Sequence, residues 1–131
     1  MIGEQPSRQY TVFVDECGRV LKIVASRTRW VEVTPRGIRV SRRRRSLWFI
    51  ELPGPVRNLV RNNPGIALVL AHILLSEKRR FRFEIFAYSV ALALYEKATG
   101  IPTRVPPRFR EIVDRYASGL MLRPVAPCGG D

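Results

Sequence analysis

The chain has 131 residues, 46% of them apolar, and carries 23 Lys and Arg against 11 Asp and Glu, a net charge of +12 with an isoelectric point near 11.2. That length fits one compact domain, and that apolar content excludes a disordered chain. The charge excess opposes compaction through self-repulsion and favours a polyanionic partner.

Residues 1–8 read as a flexible arm. From residue 9 to 52 the apolar residues recur with the period of two that marks strands. Tyr10, Val12 and Val14 alternate with Thr11, Phe13 and Asp15, and the turn DECGR follows. Leu21, Ile23 and Ala25 alternate with Val20, Lys22 and Val24, and Arg29, Val31 and Val33 with Trp30, Glu32 and Thr34. TPRG at residues 34–37 is a turn signal, because Pro presets φ and Gly accepts a positive φ. Ile38 and Val40 open a fourth strand, and residues 47–52 continue it or form a fifth.

The rhythm changes at Pro53. A short helix is expected at residues 56–61. A second, almost wholly apolar one starts with Asn63 as N-cap and Pro64 in its first turn. A third spans 82–99 and stops at Gly100, a good C-capping residue. PTRVPP is a stiff linker, residues 107–120 form a last helix, and residues 121–131 are a tail. Strands followed by helices without alternation predict an α+β fold, with an antiparallel sheet of four to five strands packed on three to four helices. Residues 9–120 would form that single domain.

Little in the chain supports catalysis. The only histidine, His72, lies on the most apolar helix and reads as structural. Asp15, Glu16 and Glu51 are the one acidic set that invites a metal, yet adjacent strand residues face opposite ways. Cys17 and Cys128 have no second ligand at zinc spacing, and a disulfide framework is not expected. No phosphate-binding glycine loop or serine-nucleophile motif is present. The expectation is no enzyme, no metal and no cofactor. The amino terminus is too polar for a signal peptide, and the longest apolar run, residues 66–75, is too short for a membrane span. A soluble, cytoplasmic protein is expected.

Of the 23 bases, only Lys22, Lys78 and Lys97 are lysines. Arginine's planar fork grips phosphate bidentately and stacks on rings. The arginines also cluster beside aromatics. One stretch holds Arg27, Arg29, Trp30, Arg36 and Arg39, then Arg42, Arg43, Arg44, Arg45, Trp48 and Phe49. The other, EKRRFRF, interleaves Arg79, Arg80 and Arg82 with Phe81 and Phe83. Single-stranded nucleic acid needs both components, cations for phosphates and flat surfaces for bases. The candidate binding residues are therefore Arg27, Arg29, Trp30, Arg39, Arg42, Arg43, Arg44, Arg45, Trp48, Arg79, Arg80, Phe81 and Arg82.

With RTRWVEV and SRRRRSLWFIEL as anchors, this organisation resembles the ThermoDBP-type single-stranded DNA-binding proteins of hyperthermophilic archaea. It is most similar to the shorter ThermoDBP-related members. The resemblance covers residues 9–120. It implies a sheet packed on helices, a cleft with an apolar floor and basic rims, and binding of single-stranded DNA without sequence preference. It also implies homo-oligomers. MLRPVAPCGGD has no heptads for a leucine zipper, so a tetramer assembled through the domain is favoured over a zipper dimer; the apolar residues 66–75 and 86–94 either supply its interface or are plain core. The alternatives are a structural RNA-binding protein of a ribonucleoprotein, a winged-helix regulator, and a nuclease using Asp15, Glu16 and Glu51.

Overall fold

The computed structural model describes residues 9–43, 46–77 and 82–118, with only the backbone of Arg43. The expected arm and tail lie outside the described residues. Strands β1 (Thr11–Val14), β2 (Val20–Ser26), β3 (Arg29–Val33), β4 (Gly37–Arg43) and β5 (Ser46–Glu51) form one antiparallel sheet whose spatial order is the chain order. Helices α1 (Gly54–Asn62), α2 (Pro64–Ser76), α3 (Phe83–Thr99) and α4 (Pro107–Ala117) follow. The fold is α+β, with the sheet in the amino-terminal half and the helices in the carboxy-terminal half.

Short turns impose the meander. In the β1–β2 turn, Asp15 Oδ1 accepts hydrogen bonds from the backbone N–H groups of Cys17 and Arg19, each at 2.9 Å. Thr34 Oγ1 plays the same part in the β3–β4 turn, accepting from the Gly37 N–H at 3.1 Å. At Gly37 the sheet leaves no room for a side chain, since a Cβ there would meet the Ile50 carbonyl oxygen at 2.0 Å.

The register decides which residues share a face. Val12, Ile23, Val31, Val40 and Trp48 form one cross-strand row on the helix side, and Val33, Ile38 and Ile50 form the next. One break in the alternation was not expected. The register shifts after Phe13, so that Val14 pairs with Val20 and Leu21 is left over. Val20 is therefore buried at 1% exposure while Leu21 is 44% exposed. A bulge of this kind moves a side chain from one face to the other.

Helix α2 is the centre of the core. Ile66, Ala67, Leu70, Ala71, Ile73 and Leu74 are all buried. The helix lies against β2 and β3 and touches the other three helices. Asn63 occupies the N-cap position but does not cap. Its Nδ2 donates back to the Leu59 carbonyl at 3.0 Å, and its buried Oδ1 has no partner among the described residues. Helix α3 ends as expected, with Gly100 in the left-handed region at φ 79° and its N–H on the Glu96 carbonyl. Of the two roles open to the apolar helices, subunit interface or core, these residues take the core role inside the monomer, since Phe86, Val90 and Leu94 are as buried as the α2 residues. Among the described residues no single helix is long and apolar enough to cross a membrane. Cys17 is disulfide-bonded, a point the sequence leaves open. Cys128 lies outside the described residues.

Two glycine replacements separate steric need from helix propensity. Gly37→Ala is expected to lower unfolding stability by about 1–3 kcal/mol, the cost of overpacking against backbone. Gly65→Ala meets nothing within 4 Å and is expected to be neutral or to stabilise by up to about 1 kcal/mol. Urea titration of both variants checks this.

Candidate nucleic-acid interface

All four helices follow β5 in the chain, and α1, α2 and α3 pack on the sheet from one side. The other side carries two rows of side chains. Phe13, Lys22, Glu32, Arg39 and Phe49 are successive cross-strand neighbours, and so are Thr11, Val24, Trp30, Ser41 and Leu47. Phe13 is 50% exposed, Leu47 53% and Phe49 46%. A row of five strands spans about 19 Å at the usual strand spacing.

Trp30 stands near the middle of this face, half-buried. The Lys22 amine lies 4.3 Å from its ring centroid and the Arg39 guanidinium 5.9 Å. Both cations sit at cation–π distance over the indole. Arg39 also pairs with Glu32 at 3.2 Å, and at the sheet end Arg36 pairs with Glu51 at 3.3 Å. The face thus offers rings and cations together, with a carboxylate beside each of these two arginines.

The structure divides the residues singled out from sequence. Trp30 and Arg39 are on the open face. Arg27 is exposed in the turn between β2 and β3. Arg29, Arg42 and Trp48 point to the helix side and are each partly buried there, off the open face. Arg29 Nη2 donates to the Leu75 carbonyl at 2.6 Å. Arg42 donates to the Glu77 carbonyl and lies 4.7 Å from the Phe83 ring centroid. Trp48 packs on Phe83 at 4.6 Å between centroids. The reason is parity: each shares a strand face with buried residues such as Val31, Val40 and Ile50. Arg82 is exposed at the start of α3, in the left-handed region at φ 55°. Arg43 contributes its backbone to β4. Arg44, Arg45, Arg79, Arg80 and Phe81 lie outside the described residues.

These inward contacts fix one corner of the molecule. Arg42 and Trp48 flank one basic run, Glu77 and Phe83 flank the other, and the flanking residues touch. Ser41 Oγ donates to the Thr28 carbonyl at 2.7 Å, which brings the Arg27 turn to the same end. Sequence reasoning missed Phe13, Lys22 and Phe49 as members of the open face. Their signal was present as the positions alternating with Val12, Ile23 and Ile50.

Beneath the corner lies a polar cluster. The Tyr10 hydroxyl and His72 Nδ1 share a hydrogen bond of 2.7 Å, and Ser76 Oγ is 3.3 Å from the same nitrogen. Tyr116 meets His72 edge-on and donates its hydroxyl to Glu77 Oε2 at 2.7 Å. Burial, then the positive charge of Arg29, hold His72 below the usual histidine range. Burial, then the Glu77 carboxylate, push the Tyr116 phenol up to about 12. The Asp15 carboxyl is held below its usual range, chiefly by the Arg19 backbone N–H. Its oxygens cap a turn and pair with Arg19 at 2.9 Å. Among the described residues no group of three or more His, Cys, Asp and Glu is placed to hold a metal ion.

Fold and face define an α+β domain with one covered and one open sheet surface. No protein-family model matches the chain, and no curated protein or solved structure is significantly similar to it.

The histidine cluster sets a pH dependence. A histidine whose folded pKa is depressed binds fewer protons folded than unfolded. Its contribution is present above the unfolded pKa, near 6.5, and is lost as pH falls through the folded value. Titration of the His72 ring by NMR is expected to give a midpoint below 6.5. Arg29→Met is expected to raise that midpoint by removing a positive charge. It should also lower stability by about 1–3 kcal/mol through loss of the charged hydrogen bond to Leu75.

Proposed function

We propose that this protein binds single-stranded nucleic acid, DNA in the first instance, as a sequence-tolerant, non-catalytic binding protein. The observation that carries the reading is the open sheet face, where Phe13, Trp30 and Phe49 are set among Lys22 and Arg39. Exposed rings on a sheet are stacking platforms for unpaired bases, whose π-faces a duplex hides. Cations of the same face, Lys22 between the rings and Arg36 at the sheet end, take the phosphates. Lys22 is a point charge on a flexible stem, so it can leave the Trp30 ring for a phosphate as a base replaces it.

The net charge of +12 supports the same reading, because counterion release from a strand offsets the repulsion among clustered arginines. The open face meets the corner flanked by Arg27 and Arg42, from which a strand gains further phosphate contacts. The resemblance to the ThermoDBP-related proteins of hyperthermophilic archaea points the same way and adds a homo-tetramer. In this monomer the apolar side chains left for a subunit contact include Ile85 and Tyr88 on α3, both exposed. Sedimentation analysis tests the assembly separately.

Anisotropy titrations with labelled single-stranded DNA, the matching RNA and the duplex test the reading. Tight binding to DNA single strands, falling steeply with salt, is expected, with much weaker binding to duplex. Equal affinity for duplex would sink the proposal, and selective binding of one structured RNA would favour the ribonucleoprotein alternative. Trp30→Ala is expected to weaken single-strand binding by about 1–3 kcal/mol, the scale of one stacked base. Lys22→Gln should reduce the slope of log affinity against log salt by about 1. Trp48→Ala is expected to act on stability instead, lowering the melting temperature through its lost packing on Phe83.

A further inference from the structure

The lower end of the open face holds a concavity of about 520 Å³, formed where the β3–β4 turn rises beside Glu32, Arg39 and Phe49. That volume lies in the range of small-molecule sites, roughly 300–1,000 Å³. Resting on the single-strand reading above, we infer that this concavity is a subsite for one guanine base of a bound strand, the one base-selective position on an otherwise sequence-tolerant surface.

Glu32 is out of place on a phosphate-binding face. A carboxylate on a phosphate-binding face repels the ligand it lies beside. Glu32 nonetheless sits in the centre of the row, between Lys22 and Arg39. Its Oε1 pairs with Arg39 at 3.2 Å, and its Oε2 has no partner among the described residues. Beyond its pairing with Arg39, the carboxylate is favourable toward a ligand only at an edge that donates hydrogen bonds. Unpaired bases present such edges, and proteins read them while stacking the ring on an aromatic.

The donor order selects the base. Arg39 offers donors only, and the neighbouring Glu32 offers acceptors only. Guanine's pairing edge presents an acceptor, O6, followed by two adjacent donors, N1–H and the N2 amino group. Arg39 facing O6 and Glu32 facing the two donors satisfies all three. Thymine and uracil have one donor between two acceptors, so Glu32 meets a repelling oxygen on either side. Adenine and cytosine each bring only one donor group to that edge. Phe49, open on its outer face, supplies the stacking surface. Arg36, on the rim and 73% exposed at its side chain, is placed for the phosphate. Thr34 Oγ1 accepts from the turn N–H groups of Arg36 and Gly37.

The test compares a strand of about 15 thymidines with the same strand carrying one central guanosine. The wild-type protein is expected to bind the guanosine strand about tenfold tighter, the order of one bidentate base contact. Glu32→Gln should bring the two affinities within about twofold of each other. Glu51→Gln, which removes a carboxylate from the same face outside the concavity, should keep the preference. In the unaltered protein, guanosine monophosphate should shift the amide resonances of Glu32, Arg39 and Phe49, and uridine monophosphate should not. Equal wild-type affinity for the two strands, or a preference that survives Glu32→Gln, overturns the inference while leaving single-strand binding in place. If neither strand binds, the functional reading fails and the subsite falls with it.

Discussion

Everything in this molecule depends on an asymmetry of burial across one sheet. A meander of five strands finishes before the first helix begins, so the helices pack as a group rather than sandwiching the sheet. Side chains alternate across each strand, and every second residue is therefore committed to the core or left in solvent. The helix-side row from Val12 to Trp48 pays for the fold. The opposite row, from Phe13 to Phe49, carries rings and charges that the core does not need.

Helix α2 is stable in its position because the sheet completes its carboxy-terminal end. The helix has no basic residue in its last turn, and its final carbonyls would otherwise lie unsatisfied near buried surface. Arg29 reaches in from β3 for that task on the Leu75 carbonyl, and Arg42 from β4 holds the Glu77 carbonyl just past the helix end. A cation at a helix carboxy terminus also opposes the negative end of the helix dipole. Part of the arginine clustering is thus structural. Arginines that look in sequence like one binding run divide into those that tie the sheet to α2 and those that face outward.

The same tie gives the binding proposal its geometry. Because Arg42 and Trp48 are held against Glu77 and Phe83, the chain segments that lead into both basic runs meet at one corner. The open face adjoins it. Below the corner, Tyr10, His72, Tyr116 and Glu77 form a half-buried polar cluster that joins the residue before β1 to α2 and α4. It has the character of a structural joint, since its hydrogen bonds are made within the protein.

The sequence by itself determined the α+β class, the positions of the strands and helices, the Gly100 cap and the central place of α2. These depend on local periodicity and on residues such as Pro and Gly, whose preferences act within a few positions. It also determined that Trp30 lies on the face of its strand opposite Val31, and Arg39 on the face of its strand opposite Val40, but not which face of either meets the helices. Only the tertiary structure decided that they face solvent while Trp48, Arg29 and Arg42 face the helices. That outcome depends on cross-strand register and on which side the later helices dock, and neither is a local property. The bulge at Leu21 and the inward turn of Asn63 escaped the pattern for the same reason. A strand's alternation fixes two faces, and packing against the rest of the chain chooses between them.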